Sequence, residues 1–247
     1  VGNMGLPKAV HQLQQIIRQE NEQTSQMIRS EAIMALRQLR EVLPHKIQQI
    51  LLPIFMNKQE SNEVRMAAAY QVFQTQPTRP VLDQMARSLF SERSQQVASF
   101  VYSYMRTVSN SSNPCEKNFA KDLKLALRHG RQIGAAFLPQ FSKAVHASAH
   151  SQTFRLGGDA EFISVISNRT VLPRFIALDL HANAAGFWSK YLAGISIAQE
   201  NVESLITRFM RRTEFDDINL EDILARNSRG AQNPVMELKK IWDQLST

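Results

Sequence analysis

The sequence predicts an α+β protein: an α-solenoid of stacked helix pairs followed by an antiparallel β-sheet. Three observations carry that reading. A hydrophobic period of 3.6 persists over residues 8–129, a period of 2 takes over after about residue 150, and helix starts recur about every 30 residues. The chain has 247 residues, 43% of them hydrophobic, with only 9 Gly and 9 Pro. That is ample material for a core, and it excludes collagen-like or linker-dominated architecture.

Val10, Leu13, Ile16 and Ile17 form the first apolar stripe. Ile28, Ala32, Leu36, Leu39 and Leu43 form the second and leave Arg37, Gln38 and Arg40 to solvent. Ile47, Ile50, Leu51, Ile54 and Phe55 give a third, which Pro53 is expected to shorten or kink because it removes a backbone donor. Three more follow: Leu82, Met85, Ala86 and Leu89; Val97, Val101, Tyr104, Met105 and Val108; Phe119, Leu123, Ala126 and Leu127. Ser30, Ser61 and Ser91, at intervals of 31 and 30 residues, each precede a helical run and are expected to cap its free N–H groups. Pro44, Pro77 and Pro114 mark the connections. Stacked helix pairs cannot bury both faces alone, so neighbours beyond Val1 are expected, and with them a longer parent chain.

Gly157-Gly158 reads as punctuation, and residues 161–168 as a short strand rich in β-branched side chains. Residues 174–183 alternate, with Ile176, Leu178, Leu180 and Ala182 on one face and Phe175, Ala177, Asp179 and His181 on the other. A second long strand spans 187–199, with Phe187, Tyr191, Ile195 and Ile197 opposed to Trp188, Leu192 and Ala198. Ala184-Ala185-Gly186 makes a turn between them, hence an antiparallel pair. Val202, Leu205, Ile206, Phe209 and Met210 return to helical spacing. Residues 211–230 are polar, with a short helix at 220–225, and Asn233-Pro234 opens a last helix carrying Leu238, Ile241, Trp242 and Leu245. The expected division is 1–148 helical, 149–213 sheet with a following helix, and 214–247 polar loop and terminal helix.

The formal charge of +7 is uneven: residues 1–150 hold 18 Lys and Arg against 10 Asp and Glu, and residues 151–247 hold 11 against 12. Nucleic acid is not expected as a partner, because the positive charges are single and interleaved with Gln and Ser rather than gathered in a stripe. An acidic protein or anionic headgroups fit a basic helical face as well. No run approaches the roughly 20 apolar residues of a membrane span. The single Cys115 cannot bridge within the chain, so the redox compartment stays open.

No HExxH, GxSxG, P-loop or CxxC is present, and the chain is read as not an enzyme, with no cofactor and no metal. His146 and His150 would share a face if helical and could hold a metal, but no third ligand is near in sequence and Ala147-Ser148-Ala149 reads as a linker. Asn110 and Asn168 begin two glycosylation sequons, with Asn110 preferred because it lies in a polar loop. The apolar strand faces either pack on the following helix or form one wall of a lipid cavity.

The order of motifs adds a resemblance. Val1-Gly2-Asn3-Met4-Gly5, Leu51-Leu52-Pro53-Ile54-Phe55, Glu63-Val64-Arg65-Met66-Ala67-Ala68, Ala98-Ser99-Phe100-Val101-Tyr102-Ser103, Asn113-Pro114, Leu172-Pro173-Arg174 and Gln199-Glu200-Asn201-Val202-Glu203-Ser204-Leu205-Ile206 together resemble the large lipid transfer protein family. The resemblance implies a preceding β-barrel, a helical arch, and large antiparallel sheets enclosing lipid, of which this chain would hold the end of the arch and the start of a sheet. It favours the cavity-wall reading, with Ile176, Leu178, Leu180, Leu192 and Ile195 as lipid-facing candidates, and leaves open which strand face meets lipid. The implied function is vitellogenin-like: a secreted, extracellular yolk-type carrier of phospholipid and neutral lipid. The alternatives are a circulating apolipophorin-like lipoprotein or a helical-repeat interaction scaffold. The implied partners are lipids, the remaining segments of the same larger protein, a lipoprotein receptor contacted outside this stretch, and further copies in a homo-oligomer.

Overall fold

The computed structural model describes residues 7–18, 26–166, 173–184 and 188–198. The chain divides into two compact units, Val1–Glu200 and Asn201–Thr247, and every described element belongs to the first. Among the described residues, seven α-helices precede four strands. The helices are α1 (Ala9–Arg18), α2 (Gln26–Met34), α3 (Pro44–Met56), α4 (Asn62–Gln74), α5 (Arg79–Ser88), α6 (Gln95–Val108) and α7 (Lys117–Ala126). The strands are β1 (Lys143–Ser151), β2 (Leu156–Ile166), β3 (Pro173–Ala184) and β4 (Trp188–Ala198).

The helices form two layers. In one, α2 and α6 flank α4; in the other, α1 covers α2, α3 covers α4, and α7 packs on both α5 and α6. The strands form an antiparallel meander in the order β1-β2-β3-β4, and α6 lies against β1. One continuous core runs from Phe55, Phe73, Phe100 and Met85 into Ala144, Ile163, Val165 and Ala177 of the sheet. The helices and the sheet therefore share a core.

The predicted serine repeat is corrected. Ser61 does cap α4, accepting from the Val64 N–H at 3.4 Å, but the cap of α6 is Ser94, not Ser91. Ser30 lies inside α2 with its hydroxyl buried and without a hydrogen-bond partner. What repeats is an arginine clasp. Arg29 donates through Nε to the Ile17 carbonyl at 2.9 Å and through both Nη atoms to Glu60, whose carboxylate also accepts from the Ser61 N–H. One helix pair on, Arg65 donates to the Phe55 carbonyl at 2.9 Å and grips Glu92, which accepts from the Ser94 N–H. Each clasp joins its helix to the end of the helix before it and to the residues just ahead of the second helix of the next pair. It also explains why Ile28 is half exposed against expectation: α2 turns Arg29 inward instead.

Four other expectations change. α3 runs unbroken through Pro53, which sits in its last turn. The sheet begins at Lys143, inside the stretch assigned to the helical domain (1–148), so Ala147-Ser148-Ala149 is strand and not linker. Gly157-Gly158 lies within β2 and does not punctuate it: a Cβ at Gly157 would stand 2.6 Å from the Ala149 carbonyl oxygen and 2.7 Å from Asn183 Oδ1. In β4 the alternation breaks at a bulge, since Leu180 pairs with Ala193 and His181 with Tyr191, so Tyr191 does not register in the row of Ile195. The antiparallel pairing of β3 with β4 is as predicted. The 184–186 turn lies partly, and the helices after residue 200 wholly, outside the described residues.

Candidate functional site

The two faces of the sheet differ in kind. Toward the helices, Ala144, Ile163 and Ala177 stand in one cross-strand row and are buried. On the opposite face Val145, Phe162, Leu178 and Ile195 pair in register across all four strands, flanked by Ala147, Ala160, Leu180 and Ala193 on one side and by Ile176 paired with Ile197 on the other. Phe162 is 37% exposed, Leu178 42%, Leu180 40%, Ile197 55% and Ile195 69%. Four strands at about 4.8 Å spacing make this apolar row about 14 Å long. Soluble monomers rarely leave such contiguous apolar surface in water unless it binds something.

Of the lipid-facing candidates, Ile176, Leu178, Leu180 and Ile195 thus share one open face, with Ile176 partly buried. Leu192 occupies the extra position of the β4 bulge and is 62% exposed. Phe162 and Val145 complete the row and were missed by sequence reasoning. Phe162 belongs to the strand predicted over 161–168, and its alternation with the buried Glu161 and Ile163 was the available signal.

The helix-facing side carries a buried polar network. Glu161 accepts from the Tyr70 hydroxyl at 2.7 Å and from Gln74 Nε2 at 2.8 Å, and His146 Nδ1 approaches it at 3.4 Å. Burial alone would raise the Glu161 carboxyl, but the hydrogen bonds from His146 and Tyr70 outweigh it and hold the group below its usual range. Burial and then the Glu161 charge push the Tyr70 and Tyr104 hydroxyls well above theirs. Tyr104 also stacks on Phe73 at 4.8 Å between centroids. Burial opposes the charged form of His146, but Glu116 and Glu161 prevail and raise it to about 10. Burial and Glu116 raise Asp159, and burial and Glu161 raise Asp179.

His146 and His150 do not form a site together. On a strand, residues four apart are about 13 Å apart. His150 Nδ1 instead meets Asn183 Oδ1 at 3.1 Å, while His146 meets the carboxylates of Glu116 and Glu161. Asn110 is exposed just past the end of α6, where its side chain donates to the Arg106 carbonyl at 3.2 Å. Asn168 lies outside the described residues.

Comparison with known proteins agrees with this geometry. Residues 1–106 match the family model "Vitellogenin TPR domain" and residues 140–246 match "Vitellinogen, open beta-sheet". The chain is 32% identical to Vitellogenin-6 of Oscheius tipulae over 99% of its own length and 14% of that protein. It is 31% identical to Vitellogenin-6 of Caenorhabditis elegans over 99% of its length and 15% of that protein, and 30% identical to Vitellogenin of Ichthyomyzon unicuspis over 84% and 12%. It thus spans about one seventh of the length of the nematode relatives. A solved structure described as "Lipid-protein interactions in lipovitellin" superposes with a TM-score of 0.77 at 29% identity, covering 83% of this chain and 22% of that one.

Proposed function

Because this chain belongs to the vitellogenin family, we propose that its open sheet face binds the acyl tails of phospholipid and neutral lipid. It does so as part of a secreted, yolk-type lipid carrier that performs no catalysis. The observation that carries the reading is the four-strand row Val145, Phe162, Leu178 and Ile195 on the face turned away from the helices, in which Phe162, Leu178 and Ile195 stay exposed and Val145 is partly buried. Covering a Leu or Ile that still has about half its surface in water contributes about 1 kcal/mol. A row of such residues with its flanking neighbours therefore holds several tails without any directional contact. The likeness to a lipovitellin structure described by its lipid–protein interactions supports the same assignment.

The helical layer is the brace. α6 and α4 pin the sheet from behind, so its far face stays open without collapsing onto the chain's own core. Ile176, Leu178, Leu180, Leu192 and Ile195 are the lipid-facing residues on this reading, joined by Phe162. Secretion into yolk or circulating fluid, glycosylation at Asn110, assembly with the rest of a longer protein and homo-oligomerisation belong to the same proposal. A receptor contact would fall outside this stretch.

Organic extraction of the purified native protein, with mass spectrometry of the extract, is expected to release phospholipid and neutral lipid, and its buoyant density is expected below that of lipid-free protein. A particle with the density of its amino acids alone and no extractable lipid would overturn the reading in favour of a dry interaction scaffold.

A further inference from the structure

Between the helical layer and the sheet, on the side opposite the open face, lies a narrow groove. Its apolar walls are Met27 and Met34 of α2, Ala67 of α4, Phe100 of α6, Ile163 of β2 and Phe175 of β3. Helical spacing builds them: Met27, Ser30, Glu31 and Met34 stand at i, i+3, i+4 and i+7 on one face of α2, and Ala67 is the small residue between Glu63 and Tyr70 on the facing row of α4. The free space is about 650 Å³ counted out to the solvent at its mouth, but only about 70 Å³ of it is wide enough to admit water freely. That is well below the roughly 150 Å³ that holds one benzene, so the shape suits a single slender chain and not a ring or two chains side by side. The two methionines, unbranched and adaptable, are the side chains best able to mould to such a chain.

The polar groups of the groove narrow the choice of occupant. Ser30 lines it, and its hydroxyl is buried without a partner among the protein's own atoms, although a helical serine can bond the carbonyl four residues back. An occupant with an oxygen at this point is therefore favoured over bare hydrocarbon. At the mouth, Arg174 Nη1 meets Glu63 Oε1 at 2.8 Å, both side chains being partly exposed, and Glu31 is exposed beside them. Two carboxylates against one guanidinium disfavour a carboxylate or phosphate head and accept hydrogen bonds from hydroxyls.

We propose that this groove binds one single-chain lipid with an uncharged, hydroxyl-bearing head, the monoacylglycerol class. The acyl chain lies among Met27, Met34, Phe100 and Phe175, an ester oxygen accepts from the Ser30 hydroxyl, and the glycerol hydroxyls donate to Glu31 and Glu63. The site is separate from the open face, which lies on the other side of the sheet, and it goes beyond that reading: the helical brace carries lipid of its own.

The test irradiates the purified full-length protein with a monoacylglycerol that bears a photoreactive diazirine on its chain, and maps the labelled residues by tandem mass spectrometry. Label is expected on α2, α4 and α6 around Met27, Met34, Ala67 and Phe100, none of which borders the open face. Leu178→Asp with Ile195→Asp is expected to leave this label unchanged while reducing label on the open side of the strands, so that failure of either site is seen separately. Ser30→Ala is expected to weaken labelling of α2 by about 2- to 10-fold, and Ala67→Phe to abolish it by filling the slot. If circular dichroism shows that Ala67→Phe does not fold, Ser30→Ala and the label map decide. A diazirine fatty acid of equal chain length is expected to label α2 less than the monoacylglycerol does. Label confined to the four strands, equal labelling of α2 by the fatty acid, or undiminished labelling in Ser30→Ala or in folded Ala67→Phe would overturn the assignment.

Discussion

Arg65 shows how much one side chain carries in a layered helical protein. Its guanidinium is almost wholly buried, yet each of its three nitrogens finds an acceptor, in the Phe55 carbonyl and the two oxygens of Glu92. Removing one partner strands the other charge in the core. Arg65→Ala is therefore expected to cost about 3–5 kcal/mol in urea unfolding, whereas the double replacement Arg65→Met with Glu92→Leu is expected to be close to neutral. Burial raises Glu92, but the Arg65 hydrogen bond, the Ser94 N–H and the Arg65 charge together hold it below its ordinary 4.5. A carboxyl lowered on folding gives stability that is fully present above 4.5 and is lost as pH falls through the lower, folded value. Acid titration below about pH 4.5 should thus destabilise the wild type more steeply than the double variant. None of this was legible in the sequence. Arg29 and Arg65 look like solvent residues there, because a buried cation declares itself only through a distant partner. The serines nearby drew the repeat instead, since capping is a local signal.

Elements were legible in proportion to how unevenly they are buried. The one-sided helices α1, α5, α6 and α7 left clear stripes. α4 left none because Val64, Arg65, Met66, Ala68, Ala69, Tyr70, Gln71, Val72 and Phe73 are all buried, so no solvent face contrasts with a core face. β1 was missed for a different reason: Ala, Ser and His alternate there without hydrophobic contrast, and its strand form is dictated by its neighbours. Those neighbours are specific. As the sheet's margin, β1 presents N–H groups that β2 does not use, and α6 answers two of them. Ser103 Oγ accepts from the Ala144 N–H at 3.1 Å and Thr107 Oγ1 from the His146 N–H at 3.0 Å. The match is geometric, since one helical turn of about 6 Å meets two strand residues of about 6.8 Å. Ser103→Ala with Thr107→Val leaves both donors buried without partners, and each is expected to cost about 1–3 kcal/mol. Faster hydrogen exchange at the 144 and 146 amides with an otherwise native spectrum would locate the loss; unchanged protection there would refute the seam.

At the scale of the molecule, the order of motifs gave the family and the strand period gave the sheet. Which face is open could not be read, because both faces of β3 carry apolar residues. The answer comes from Tyr70, Gln74 and Tyr104 of the helices, which hold the Glu161 side. The open side makes a further prediction. Leu178→Asp with Ile195→Asp charges the middle of the exposed row without touching the core. Thermal stability is expected to hold within about 1 kcal/mol, while lipid recovered by extraction falls. Unchanged lipid content would move the binding surface elsewhere.

The hydroxyl seam along β1 also gives the sheet a direction of growth. One margin is closed by α6, and among the described residues β4 has only β3 beside it. A further strand would find free backbone partners at β4 rather than at β1. The helical stack is thus a fixed wall on one side of the sheet, and the exposed apolar face is open to extension on the side away from it.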